Sequence, residues 1–108
     1  MKYGIITGDI LDAKDVDIPP KMAGGLVGFH QRLTFPRSAL KAGVKGVVML
    51  EFIVDETGCV VNPLVTSDTD ERLNKEALRV LKLVSFEPGQ LDDSNIAVKM
   101  TLPVSFRL

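Results

Sequence analysis

The sequence is short of the residues from which disulfides, metal sites and catalytic clusters are built. It has one cysteine, one histidine and no tryptophan, so Cys59 has no partner for an internal disulfide and a Cys- or His-based metal cluster is excluded. Neither sign of charge dominates, because 13 Lys and Arg residues face 14 Asp and Glu residues. A basic excess is typical of nucleic-acid-binding domains. We therefore expect no nucleic acid as a partner.

Long apolar runs are also missing. No stretch approaches the roughly 20 apolar residues that a membrane-spanning helix needs, and the first 20 residues mix charged and apolar side chains instead of following the order of a signal peptide. We therefore expect the chain as given to be soluble. Its 108 residues, 45% apolar and 25% charged, fit one globular domain.

The first 20 residues differ in pattern from the rest. They are rich in aspartate and end in Pro19-Pro20, which favours extended backbone. Apolar pairs at Ile5-Ile6 and Ile10-Leu11 indicate a short strand. We predict that residues 1–20 are a leader or the end of a linker, docking on a domain formed by residues 21–108.

The rest of the chain predicts short helices, two strands, a long helix and a last strand. Short helices lie on either side of Pro36, which must end the first. Gly46–Asp55 and Cys59–Thr66 form a hairpin around a turn at Asp55-Glu56-Thr57-Gly58. Asp68 and Glu71 resemble a capping box at the start of the long helix. The buried stripe of that helix contains Leu73, Ala77, Val80, Leu81 and Val84.

The last strand gives the clearest pattern, because apolar and polar residues alternate from Ile96 to Leu108. Pro63 lies inside the second strand, which must therefore be an edge or be bulged there. The last strand then pairs with the first, in the order 2-1-3. The predicted fold class is α+β, a three-stranded antiparallel sheet with one long helix packed on it and short N-terminal helices.

The same argument makes the last strand the other edge of the sheet. If Pro103 faces away from the first strand, so do the backbone groups of every second residue along it. Those residues are Ala97, Lys99, Thr101, Ser105 and Arg107. An open edge of this kind accepts an extended peptide or a second copy of the chain.

A known family shares these segments in the same order. They are Phe35-Pro36-Arg37-Ser38-Ala39, Gly46–Asp55, Gly58-Cys59-Val60, Phe86-Glu87-Pro88-Gly89 and Pro103-Val104-Ser105-Phe106. Together they cover roughly residues 19–108, and the set resembles the C-terminal domain of TonB energy transducers. The resemblance implies a periplasmic domain, tethered to the inner membrane, that works with a proton-driven motor complex in transport across the outer envelope.

The resemblance also implies a partner and contact residues. Such domains capture an extended segment (the TonB box) of an outer-membrane transporter, by strand addition to the last strand. By position, the contacts fall on Gln31, Arg32, Leu33 and Thr34, and on the edge from Val98 to Val104. Because Pro103 interrupts that edge, we expect pairing along Ala97, Lys99 and Thr101. The family's inner-membrane helix and Pro-rich linker are absent from this sequence, so motor proteins are reached only through that missing part.

Other interpretations start from single features. His30 has no second base or metal ligand at a spacing typical of an active site or a metal site. Turn chemistry explains the acidic pair Asp55 and Glu56. We therefore predict no catalytic residue, no metal, no cofactor and no enzyme activity. Arg32 and Lys99 are either solvated surface or a cationic lip for an acidic guest segment. The alternative function is a free-standing TonB-like module for self-association or another protein interaction.

The outward face of the first strand bears on that alternative. Val47, Met49 and Ile53 are apolar residues that a bare three-stranded sheet would leave in water. Either the same chain covers them, through residues 1–20 or the short helices, or a second copy covers them in a homodimer.

Overall fold

The structure is a computed structural model that describes residues 9–107, so Ile5, Ile6 and Leu108 lie outside the described residues. Within that range the chain forms seven strands, three α-helices and a single 3-10 turn. In chain order these are β1 (Ile10–Asp12), the 3-10 turn (Ala13–Asp15), β2 (Lys21–Met22), α1 (Gly25–Arg32), α2 (Arg37–Lys41), β3 (Gly46–Val54), β4 (Val60–Val65), α3 (Glu71–Leu81), β5 (Phe86–Glu87), β6 (Gly89–Leu91) and β7 (Ser94–Phe106).

The main sheet has five strands, with β3 between β4 and β7. Both neighbours of β3 are antiparallel to it. On its other side β7 pairs with the short parallel strand β1, and the first residues of β7 pair with the short antiparallel strand β6. The prediction of a three-stranded, purely antiparallel sheet is therefore wrong, because short segments before and after the helices add to the last strand. Strands β2 and β5 form a separate two-stranded ladder.

Glycine and proline bound the two short helices. Gly24, at φ +81°, precedes α1, and Pro36 precedes α2. Gly43, at φ +69°, follows α2 in the left-handed region that favours glycine. These positions confirm two short helices divided by Pro36.

The start of α3 differs from the prediction. Asp70, not Asp68, is the N-cap, and its carboxylate accepts a hydrogen bond from the backbone N–H of Arg72 at 2.9 Å. The same carboxylate also forms an ion pair with the Arg72 guanidinium, which stabilises it at this position. The predicted capping box of Asp68 and Glu71 is therefore wrong, since Glu71 is the first helical residue.

The core lies between α3 and one face of the sheet. Leu73, Ala77, Val80 and Leu81 of α3 are fully buried, whereas Val84, beyond the end of the helix, is only half-buried. The inward residues of the two long strands are Val48, Leu50, Phe52, Val54, Val98, Leu102, Val104 and Phe106. Burial of this apolar surface is the main force that holds the helix on the sheet.

The β3–β4 hairpin follows the predicted turn chemistry. The Asp55 carboxylate accepts hydrogen bonds from the backbone N–H groups of Thr57 and Cys59, at 2.9 and 3.0 Å. Gly58 closes the turn at φ +88°. Pro63 lies where the pairing shifts register, on a strand at the end of the sheet path. The sequence left two alternatives for this proline, an edge position or a bulge, and the structure has both.

Candidate peptide-binding edge

The direction in which the β7 backbone faces follows from one pair of residues. Met49 of β3 lies opposite Pro103 of β7. The Met49 carbonyl accepts from the N–H of Thr66 at 2.9 Å, and its N–H donates to Oγ of Ser67 at 3.0 Å. Both polar groups of Met49 thus point to the β4 side. In an antiparallel pair, opposite residues either exchange both bonds or neither, so Pro103 turns its backbone away from β3.

Alternation extends this orientation along the strand. The β3–β7 register is continuous from Gly46 to Val54, so every second residue from Pro103 back to Ala97 directs its N–H and C=O to the outer side of β7. The candidate binding residues Ala97, Lys99 and Thr101 belong to this outward set. This orientation agrees with the sequence prediction.

The outer side of β7 is nevertheless not bare. Strand β1 pairs with Ala97–Lys99 on this side. The prediction that the last strand is an open edge is wrong for this stretch, because the strand is flanked on both sides by its own chain. Ala97 is accordingly 1% exposed. Of the predicted pairing positions, two are occupied within the chain.

The remaining part of the edge runs from Met100 to Ser105. Within residues 9–107, β3 is the strand that pairs with this stretch, and its outer side has no paired strand. Thr101 and Pro103 have exposed side chains there. Thr101 carries an outward N–H and C=O, whereas Pro103 has only the C=O. We define the open edge as residues 100–105.

Charges lie at the junction between β1 and the open edge. Lys99 Nζ is 3.6 Å from Glu51 Oε1, and Asp12 is paired with Lys99 in the ladder. Asp12, Glu51, Lys99 and Thr101 also line a shallow surface pocket. One base thus shares this part of the sheet surface with two acids.

The other predicted contact group, Gln31, Arg32, Leu33 and Thr34, lies at the end of α1 against α3. The N–H of Thr34 donates to Glu76 Oε2 at 2.7 Å, and the Arg32 carbonyl accepts from Arg79 Nη2 at 3.1 Å. Three of the four side chains are exposed, and that of Leu33 is half-buried. These bonds fix the segment on the helical layer.

Glu76 is the centre of that attachment. Its carboxylate accepts two hydrogen bonds from Arg79, each 2.8 Å long. The Arg79 guanidinium lowers the pKa of Glu76. Partial burial opposes this effect, and the Thr34 N–H adds to it. The carboxylate therefore remains ionised while it holds the end of α1.

Phe35 joins this segment to the sheet. Its ring meets that of Phe106 edge to face, with centroids 5.7 Å apart. The predicted group at residues 31–34 is thus linked to the far end of β7, whereas Ala97 and Lys99 lie in the other half of that strand. Arg32 donates to the Leu83 carbonyl at 3.2 Å, while Lys99 pairs with Glu51, so these two bases have separate partners.

Sequence reasoning missed the way residues 17–18 attach to β6. Asp17 and Ile18 both donate their N–H groups to the Gln90 carbonyl, at 3.0 and 3.1 Å, and Gln90 returns a bond to Ile18 at 2.8 Å. The apolar pair Ile10-Leu11 was the single signal for β1. A parallel strand of three residues is too short to produce a periodic pattern in the sequence.

The histidine and the cysteine that could have carried chemistry lie in ordinary structural positions. His30 places Nδ1 2.8 Å from the carbonyl oxygen of Leu26, one helical turn away. Cys59 is exposed beside the hairpin turn. Across residues 9–107 no three His, Cys, Asp or Glu side chains cluster in a way that would hold a metal ion. In the same range, no helix is long and apolar enough to cross a membrane.

These features define a small α+β domain with a mixed sheet, one helical layer and a partly open strand edge. Comparison with known proteins gives the family. The family described as Gram-negative bacterial TonB protein C-terminal matches residues 31–108, and the chain belongs to it. The sequence-based resemblance to this family is thereby confirmed.

Individual relatives agree with this assignment. The protein TonB of Vibrio cholerae is 33% identical over 84 residues, which are 77% of this chain and 34% of that protein. The chain thus spans about a third of the curated relative that it matches. Two solution structures of the Helicobacter pylori TonB C-terminal domain share the fold. One has a TM-score of 0.58 at 21% identity and covers 75% of this chain and 86% of its own. The other has a TM-score of 0.52 at 19% identity and covers 77% and 78%.

Proposed function

We propose that this chain is the periplasmic, non-enzymatic domain of a TonB-type energy transducer. It captures an extended TonB-box segment of an outer-membrane transporter by strand addition to β7. Residues 21–108 form the binding unit and residues 1–20 the end of a linker. Inner-membrane motor proteins act on it only through the rest of the longer protein. The family membership of the chain supports the class of function.

The observation that carries strand addition is the backbone orientation of the open edge. Thr101 directs both backbone polar groups to the outer side of β7, where the described chain supplies no strand. Unpaired N–H and C=O groups on a strand edge are the recognition element in peptide binding by strand addition. Main-chain bonds then supply affinity, and alternate side chains of the guest supply selectivity.

Pro103 limits the length of a guest. It offers a carbonyl but no N–H to the outer side, so a guest strand loses one ladder bond at this position. Guest pairing is therefore continuous only on the Lys99–Thr101 side of the proline. Gln31, Arg32, Leu33 and Thr34 are the proposed second contact, because their position matches the family's contact segment and three of their side chains are exposed.

A proline at Thr101 tests this function. Thr101→Pro removes one outward N–H without removing a β3–β7 ladder bond, and Thr101→Ala keeps that N–H as a matched control. We expect a TonB-box peptide, from a transporter encoded in the same genome, to shift the β7 amide signals of the ¹⁵N-labelled chain. Thr101→Pro should weaken binding roughly ten-fold, since about 1–1.5 kcal/mol is the net contribution of a hydrogen bond. Unmoved β7 amides at saturating peptide would overturn the proposal.

Self-association is the second candidate, and the outer face of the sheet favours it. Val47 and Leu64 are each 46% exposed and Ile10 is 44% exposed on the described chain. Of the residues expected to be covered, Met49 and Ile53 are half-buried. Sedimentation velocity at rising protein concentration tests the homodimer. Val47→Lys should abolish any dimer, and a monomer at all concentrations would exclude this function.

A further inference from the structure

Strand β1 occupies the edge at which the proposed guest would begin to pair. It runs parallel to β7, with Ile10 opposite Ala97, Leu11 opposite Val98 and Asp12 opposite Lys99. Ala97 and Lys99 belong to the outward set, so they have backbone groups that a guest would use. A segment of the chain's own N-terminal part therefore makes the kind of contact that the proposed function assigns to a guest.

The parallel ladder identifies the central residue of this contact. Because the backbone groups of Ala97 and Lys99 face β1, the pairing pattern places the N–H and C=O of Leu11 between them. Ile10 and Asp12 then turn their own N–H and C=O groups to the opposite side of β1. Leu11 is also the half-buried residue of the three, whereas its two neighbours are exposed. Leu11 is therefore the central residue of the attachment.

A short tether keeps β1 at the edge. Asp17 and Ile18 are bonded to Gln90, and the Asp17 carboxylate accepts from the N–H of Asp92 at 2.9 Å. A Cβ on Gly89 would lie 2.7 Å from Val98 Cγ2 and 3.1 Å from Pro20 Cδ, so the chain packs closely there. The attachment point is therefore fixed, five residues after the end of β1. Such a tether gives a weakly bound segment a high effective concentration.

The contact is also small enough to open. Three residues pair, two of them with exposed side chains, and a segment with few buried apolar contacts opens at low free-energy cost. After Asp12 the chain turns at Ala13–Asp15 and returns to Gln90, so no strand of the described residues pairs with the outer edge of β7 beyond Lys99. A guest that binds the open edge meets β1 as soon as its pairing extends to Lys99.

We propose that Ile10–Asp12 is a built-in occupant of the guest site, which a captured segment must displace. This inference rests on the proposed function, because it concerns the regulation of the same edge. The occupant reduces the apparent affinity for a guest by the fraction of molecules in which the edge is open. It also shields backbone groups that would otherwise invite pairing with other copies of the chain.

Two proline variants of the full chain test this inference. Leu11→Pro removes the N–H that faces β7, and Ile10→Pro makes the same change one residue away, where the N–H faces outward. We expect Leu11→Pro to bind a TonB-box peptide about ten-fold more tightly than the wild type, which corresponds to an edge that is about nine-tenths occupied. Ile10→Pro should bind like the wild type. Without peptide, the Lys99 amide should exchange faster in Leu11→Pro only.

The outcomes separate the inference from the proposed function. Equal affinities for wild type and Leu11→Pro would overturn the inference and leave strand addition standing. Absence of binding by all three proteins would overturn both. If Leu11→Pro does not fold, the wild-type titration decides, because displacement predicts that Ile10–Asp12 amides move to unstructured shifts at saturation. Unmoved Ile10–Asp12 amides in a saturated complex would overturn the inference.

Discussion

The N–H of Phe86 donates to the carbonyl oxygen of Gly58 at 3.3 Å, which joins the β3–β4 turn to the strand that follows α3. The two backbones are so close that a Cβ on Gly58 would collide with the Phe86 carbonyl oxygen. Phe86 in turn packs its ring 5.6 Å from that of Phe52 in the core. The hairpin turn is therefore held against the chain that leads into β7.

Gly58→Ala should strongly destabilise the domain. The new methyl group meets the Phe86 carbonyl, and the residue must hold φ +88°. We expect a loss of about 3 kcal/mol or more in the free energy of unfolding, measured by urea denaturation. Gly43→Ala is the matched control, at φ +69° with no atom within 4 Å of its Cβ, and should cost about 1 kcal/mol. Equal losses would contradict the steric argument.

Asp70 should control the acid sensitivity of α3. The Arg72 side chain, followed by its backbone N–H, lowers the pKa of Asp70 from 3.8 to about 2. A lowered folded-state pKa stabilises the protein above pH 4, and this contribution disappears as the pH falls towards 2. Asp70→Ala should lower the Tm at neutral pH and flatten its decline between pH 4 and 2. Asp68→Ala should change neither the Tm at neutral pH nor its decline at low pH. If Asp68→Ala had the same effect as Asp70→Ala, Asp68 would be the cap.

Glu76 should determine the titration of the Thr34 amide. Its pKa is lowered mainly by Arg79, so the carboxylate accepts the Thr34 N–H at neutral pH and gives up this charged contact as the pH falls below 4.5. We expect the Thr34 amide shift to titrate in that range and to be constant in Glu76→Gln. Glu71→Gln, the same change at an exposed position of α3, should retain the titration. A Thr34 shift that still titrates in Glu76→Gln would contradict this contact.

Local patterns in the sequence were sufficient to predict the long helix and the long strands. The stripe of α3 and the alternation of β3 and β7 each fix one apolar face, and burial of those faces requires the helix to pack on the sheet. Pro36, Pro63 and Gly58 act through their own dihedral and hydrogen-bonding limits, so their roles were also predictable. The outward orientation of Thr101 followed from Pro103 by alternation alone.

The short contacts were decided by tertiary structure. Asp68 and Asp70 are equally good caps in sequence, and the pairing of Asp70 with Arg72 selects between them. Strand β1 has three residues, too few for a periodic signal, and pairs with a strand more than 80 residues later in the chain. The sequence by itself therefore determined the core and the direction of the β7 edge, because these depend on periodicity and on proline chemistry, and its ordered motifs indicated the family. Only the fold decided how much of that edge is free, because long-range pairing depends on which backbone groups meet in space.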